Sequence, residues 1–301
     1  MLKFRWFFRL SIEEIIIYGA VQGSVYALLA LGYSLVYGVG GILNLAHGAY
    51  YLIASYTFYW TWLLLAPIIG GTIGFFIGML IGVIVAAIVG TVSYVLLIKP
   101  LKEHEINVLI GTFAIGFFCE QLVIALYDPK THSIPTIFNE YVNILGKPIQ
   151  AHWIIIIIAS LIIVTLVIIF INKSKLGKSI RAVSQDPEAA MLMGINADRI
   201  LMYTVTISAL LAGVAAVLYV PGDLIAPYKG WPILTGAIAV VILGGMGSLT
   251  GSVIGAFIIG YARIATNYLI DPVYSSLVPV LVIIIILIIR PRGLFGKKEI
   301  N

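Results

Sequence analysis

Residues 153–171, WIIIIIASLIIVTLVIIFI, are nineteen consecutive residues without a charge. As a helix at 1.5 Å per residue the run is about 28 Å long, close to the hydrocarbon thickness of a bilayer. Backbone N–H and C=O groups in lipid find no water, so a chain built of such runs satisfies them within helices. Ile15 to Tyr37, Pro67 to Ile98, Ile106 to Leu126, Arg199 to Val220 and Val273 to Ile289 are further apolar runs. Only 10% of the 301 residues are charged and 61% are apolar, against about 25% charged in soluble domains. The expected fold is an all-α polytopic membrane protein of about eight helices. The run IIIII at 154–158 has no polar face and is expected to face lipid.

One long polar segment interrupts this pattern. Residues 172–199 hold five of the eighteen Lys and Arg, which assigns them to the cytoplasmic side. Basic residues beside the spans at 99–102 and 290–298 predict the same side. The net charge of +5 belongs to such loops, and no nucleic-acid partner is expected. Within the segment, Leu176, Ile180 and Val183 recur at helical spacing, with Lys178 and Arg181 on the polar side. Asp186 is a good N-cap, Pro187 suits the first helical position, Glu188 favours the positive dipole end and Gly194 stops the helix. A short helix over 187–193 follows, its tip presenting Ala189, Ala190, Met191, Leu192 and Met193. Asn196 caps the next membrane helix, with Asp198 in its first turn. Apolar residues on a cytoplasmic tip imply a partner or the lipid interface.

Glycines break an apolar segment in each half. Gly38, Gly40 and Gly41 end the first span, and Asn44 is placed to cap a new helix running through His47 and Gly48 to about Trp60. Gly244, Gly245, Gly247 and Gly251 separate Ile233 to Leu243, too short to span, from a helix over 252–269. Matched interruptions of this kind point to a translocation path through Asn44, His47, Gly48, Gly244 and Gly245; glycines that only permit tight packing are the alternative. Gly70, Gly74, Gly78 and Gly82 share one helix face. Residues 44–60 either span, which puts the N-terminus outside, or form a re-entrant hairpin, which leaves the basic N-terminus inside. Lys3, Arg5 and Arg9 interleaved with Trp6, Phe7, Phe8 and Leu10 have the composition of an interfacial segment. Residues 128–152 and 221–232 read as outside loops, the latter with Asp223, Tyr228, Lys229 and Trp231 available to a partner.

The run RAVSQDPEAAMLMGIN at 181–196 resembles the coupling loop of branched-chain amino acid permeases, which belong to the ABC importers. YGAVQGSVYALLALGYSLVYG, NLAHG, VILGGMGSLTGSVIGA and RPRGLFG resemble the same family in the same order. The resemblance implies a single permease domain over residues 1–301, with its coupling loop at 172–199, in the prokaryotic plasma membrane. It also implies a second, related permease chain, two cytoplasmic ATP-binding subunits and an external binding protein that delivers the substrate. Arg181, Asp186, Glu188, Ala189, Ala190, Met191 and Gly194 would then serve ATPase coupling. Arg263 departs from the family, standing where an acidic residue is expected.

This chain itself is not expected to hold a cofactor or to be an enzyme. Gly177-Lys178-Ser179 looks like the end of a P-loop, but Asn172 stands in place of its first glycine and a lipid-spanning run precedes it. ATP would belong to partner subunits. No metal is expected at His47, because His104, His132 and His152 fall in distant loops. An ion-coupled secondary transporter is the rival class. It would need paired intramembrane carboxylates, and only Glu120 lies deep. Within the importer class, a urea or short-amide permease is the alternative.

Overall fold

A computed structural model describes residues 2–144 and 146–296, with side chains from Ile12 onward. The interfacial segment expected from Lys3 to Leu10 and the terminal pair Lys297 and Lys298 lie outside these described side chains. Helix α1 (Leu2–Gly40) is the central post, packing on most of the later membrane helices. It is followed by α2 (His47–Ile69) and α3 (Gly71–Ser93). A π-helical turn at 94–98 leads into the short α4 (Lys99–Leu101), and α5 (Glu105–Tyr127) follows. A hairpin of β1 (Tyr141–Ile144) and β2 (Lys147–Gln150) precedes α6 (Ala151–Lys173). Next come α7 (Lys175–Gln185), α8 (Pro187–Leu192), α9 (Ala197–Tyr219), α10 (Gly230–Gly244) and α11 (Leu249–Leu269). The described residues end after α12 (Pro272–Ser275) and α13 (Val278–Ile289). Among the described residues eight helical stretches are long and apolar enough to cross a membrane.

Several boundaries differ from expectation, each for a local reason. Pro67 sits inside α2, and the true break is Gly70, whose φ of 90° makes a turn that other residues rarely adopt. The glycine face of α3 is therefore Gly74, Gly78 and Gly82, which lie against Ala66, Phe58 and Ala54 of α2. The last run does not form one span. Asp271 caps α12, and the twelve residues of α13 rise only about 18 Å. Pro272 and Pro279 each start a helix there rather than continue one. The isoleucine run of α6 does have a core side, since Ile156 is buried in the main cluster while Ile158 is exposed.

Contacts define two ends of the bundle. At one end Tyr94 donates to the Asp198 carbonyl (2.8 Å) and Lys102 pairs with the Asp198 carboxylate. There also the Leu294 N–H reaches the Leu243 carbonyl (2.8 Å), and Gly38 faces both Gly247 and Ser184. All three basic loops thus share that end, the cytoplasmic one. At the other end Lys147 pairs with Glu14 (3.2 Å), and Tyr18 packs on Trp153 and Tyr268. The start of α1 therefore lies outside, and residues 47–60 belong to a helix that continues to Ile69, preceded by a turn at 44–46, not to a re-entrant hairpin.

Candidate functional site

The inner loop is rigid by construction. Ser174, Asp186 and Asn196 cap α7, α8 and α9, accepting from Gly177 N (2.9 Å), Ala189 N (2.9 Å) and Arg199 N (2.9 Å). Gly194 adopts φ +83° and closes α8, as Gly194 N and Ile195 N bond back to Met191 and Ala190. Arg181 donates to both the carbonyl (3.1 Å) and the side-chain oxygen (2.9 Å) of Asn172, locking α7 to the end of α6. Gly177 explains the P-loop mimicry: a Cβ there would lie 2.6 Å from two backbone carbons of Ile171, so the glycine lets α7 fold back on α6.

The tip divides into two sides. Ala190 is 5% exposed and packs with Leu35, Ile171, Ile180, Val183 and Ile200, so it is an anchor and not part of the presented surface. Met191, Leu192 and Met193 are 53%, 89% and 83% exposed, while Glu188 and Ala189 lie on the same outward side. A six-residue helix thus holds an apolar knob clear of the bundle, with its root in the core of the membrane domain.

The second place is inside the bundle. Asn44 is not the helix cap; its Oδ1 accepts from Ala46 N (3.0 Å) and its Nδ2 donates to the Tyr50 hydroxyl (3.3 Å), and α2 starts three residues later. Leu45 N donates to Thr112 (3.1 Å), tying the break to α5. His47 is completely buried and shares a hydrogen bond with Ser208 (3.1 Å), halfway along α9. The Tyr33 ring stands edge-on to it at 5.6 Å, and among the described residues neither His47 Nε2 nor the Tyr33 hydroxyl has a partner.

One residue farther on, Gly48 touches the start of α10. A Cβ on Gly48 would lie 3.0 Å from both Gly230 C and Leu234 Cβ. Two helix N-termini therefore meet within the bundle, and their dipoles favour negative charge nearby. Glu120 of α5 supplies it, accepting from Trp231 Nε1 beside a cavity of about 10 Å³, room for one water.

Gly244 and Gly245 are not at this place. Gly244 is fourteen residues farther along α10 than Gly230, about 21 Å, and both glycines contact the turn into α11 or the C-terminal segment. The two breaks meet at their cytoplasmic end, where Gly38 faces Gly247, but inside the bundle the partner of Gly48 is Gly230, beside Trp231, in a segment whose polar context reads as an outside loop. The signal for it was Pro227 followed by Gly230 and Pro232, three helix-start residues within six positions. Asp223 and Lys229 of that loop pair with each other at 2.5 Å.

Comparison with known proteins gives one consistent result. A family model described as branched-chain amino acid transport system / permease component matches residues 15–287. The high-affinity branched-chain amino acid transport system permease protein LivH of Escherichia coli K12 is 30% identical over 298 residues, covering 94% of this chain and 95% of that one. The corresponding permease protein BraD of Pseudomonas aeruginosa is 30% identical over 294 residues with the same coverage. The high-affinity branched-chain amino acid transport system permease protein LivM of Salmonella typhimurium is 26% identical over 294 residues, 91% of this chain and 68% of that one.

Proposed function

The chain belongs to the family of branched-chain amino acid transport system permease components, and from that premise we propose that it is the multi-pass permease subunit of an ABC importer for branched-chain amino acids. Two such chains, this one and a LivM-like relative, would enclose the path. Two ATPases would dock on the cytoplasmic loops, and an external binding protein would deliver the substrate. The observation that carries the coupling is the exposed knob of Met191, Leu192 and Met193 on a helix capped at both ends and rooted through Ala190. A flexible loop would absorb a push from below; this one transmits it to α7, α9 and α1.

ATP binding would favour one packing of the permease pair and hydrolysis the other, a shift set by differential contacts in the two states. At the meeting of α2 and α10 the backbones touch through glycines, so a small relative tilt opens or closes the bundle without side chains having to unlock. Glu120 lines the small cavity at this meeting, and His47 and Tyr33 lie buried near it, polar groups that an opening of the junction would bring toward the path.

The test is uptake of radiolabelled leucine by vesicles carrying this chain with its candidate ATPases, second permease and binding protein, omitting one component at a time. Uptake that vanishes without ATP or the ATPases is the expected result. Uptake by this chain alone, driven by a proton or sodium gradient, refutes the importer reading, and uptake of urea in preference to leucine moves the substrate to the short amides.

A further inference from the structure

Arg263 is a cation within a membrane span, fourteen residues from the start of α11 and in its outer half. Its guanidinium donates to the Tyr26 hydroxyl and lies 6.0 Å from the Tyr26 ring centroid. Tyr26 is completely buried on α1, so Arg263 is directed into the bundle and away from lipid. Among the described residues no carboxylate oxygen lies within 4.0 Å of it. Asp223, which acts on it only at longer range, is already held by Lys229 (2.5 Å) and by its own bond to Leu224 N (2.8 Å). Beside this centre Tyr219 donates to Gln22 Oε1 (3.3 Å), and among the described residues the Tyr219 hydroxyl oxygen and the Gln22 amide N–H₂ have no further partner.

A guanidinium offers five donors in a planar fork that matches a carboxylate. One tyrosine hydroxyl occupies one of them, and a neutral acceptor does not balance the charge. An ionised side chain held at membrane depth without a counter-charge is costly and marks a ligand pathway. On the permease reading above, we propose that Arg263, with Tyr26 and the Tyr219–Gln22 pair, is a binding site for the α-carboxylate of the amino acid in transit. The Tyr26 hydroxyl lies against Gly236, six residues along α10 from Gly230, which places the site within the bundle beside the α2–α10 junction. The aliphatic side chain needs no specific partner here; the carboxylate is the feature every amino acid substrate shares. Such a site accepts leucine, isoleucine and valine alike and rejects neutral amides of similar size.

The experiment uses the whole complex in nanodiscs without the binding protein and compares binding of radiolabelled L-leucine with its competition by L-leucinamide, which lacks the carboxylate. Wild type is expected to prefer leucine by about tenfold or more, the worth of one charge-assisted contact. Arg263→Met keeps the apolar stem and is expected to abolish the preference. Arg263→Lys restores part of it, since an ammonium keeps the charge but not the fork. Assembly is followed by size exclusion. An unchanged preference in Arg263→Met overturns the assignment. So does failure of both variants to assemble, which makes Arg263 a structural or subunit-interface residue, and so does a wild type indifferent to the carboxylate. Failure of the permease reading shows separately, as absence of ATP-dependent uptake by the wild-type vesicles.

Discussion

Gly48→Ala tests the junction on which the intramembrane site depends. The added methyl would lie 3.0 Å from Gly230 C and from Leu234 Cβ, and nearer still to the Gly230 carbonyl oxygen. Ordinary contact begins at 3.4 Å, so α10 must retreat by at least about 0.4 Å, and farther from the oxygen. The obstructing atoms are mainly backbone, which has no rotamer to escape into. Overpacking of this kind costs about 1–3 kcal/mol, offset by up to about 1 kcal/mol for replacing glycine with alanine in a helix. The reciprocal change is the control. On Gly230 a Cβ would lie 3.1 Å from the Gly48 oxygen and 3.4 Å or more from the next atoms, and the helix-propensity gain nearly cancels that contact. At roughly 2–4 °C per kcal/mol for chains of this order of size, Gly48→Ala should lower the thermal midpoint of the purified complex by several degrees, and Gly230→Ala by at most about 2 °C. Leucine uptake should fall with the first and survive the second. Equal midpoints and equal uptake for the two variants would show that the helices do not meet as closely as Gly48 and Gly230 indicate.

Other expectations concern single contacts. Asp186→Ala removes the α8 cap at a local cost of about 1 kcal/mol, and Gly194→Ala strains a residue at φ +83° by about 1–2 kcal/mol. Both should weaken co-purification of the ATPases more than they lower the thermal midpoint. Leu192→Asp alters a side chain that is almost wholly exposed, so it should leave the midpoint unchanged and abolish ATPase association; a native level of association removes the knob from the coupling surface. Trp231→Phe leaves the Glu120 carboxylate without its donor, and a loss of about 1–3 kcal/mol should appear in thermal unfolding, with no such loss in Glu120→Gln, which keeps an acceptor without the charge.

Elements governed by local chemistry were legible from the residues alone. The inner loop is the clearest case, because Asp186, Pro187, Gly194 and Asn196 determine their own backbone and need no distant partner. The spans of α5, α6 and α9 follow from hydrophobic length in the same way. What failed to show was tertiary. Ala190 belongs to a run of five small or apolar tip residues, and only the packing of α8 against Leu35 and Ile200 decides that it alone turns inward. Gly244 and Gly245 look like the counterpart of Gly38 to Asn44, yet which break meets which depends on how α10 is threaded. The residue that answers Gly48 is Gly230, concealed in a polar segment because the helix it begins starts inside the bundle.

A single helix connects the two candidate sites to each other. Near its cytoplasmic end α1 presents Leu35 to the core that roots α8, and Gly38 to both Ser184 of α7 and the Gly247 turn between α10 and α11. Two residues before Leu35 it presents Tyr33 to His47, and farther out Tyr26 to Arg263 and Gln22 to Tyr219. Gly19 and Gly23 bring the same helix into backbone contact with α11, so α1 and α11 form the most closely packed pair in the bundle. On the importer reading, a displacement of α8 by a docked subunit would pass through α7 and α9 to α1, and from there to the α10–α11 turn at Gly38 and to the Arg263 centre along a helix with no break between Leu35 and Gln22. By contrast α2, α3 and α5 touch the inner loop little or not at all. They are tied to the rest of the bundle through α9, which packs on α1 as well as on α2 and α3, and through the glycine contact of Gly48 with Gly230.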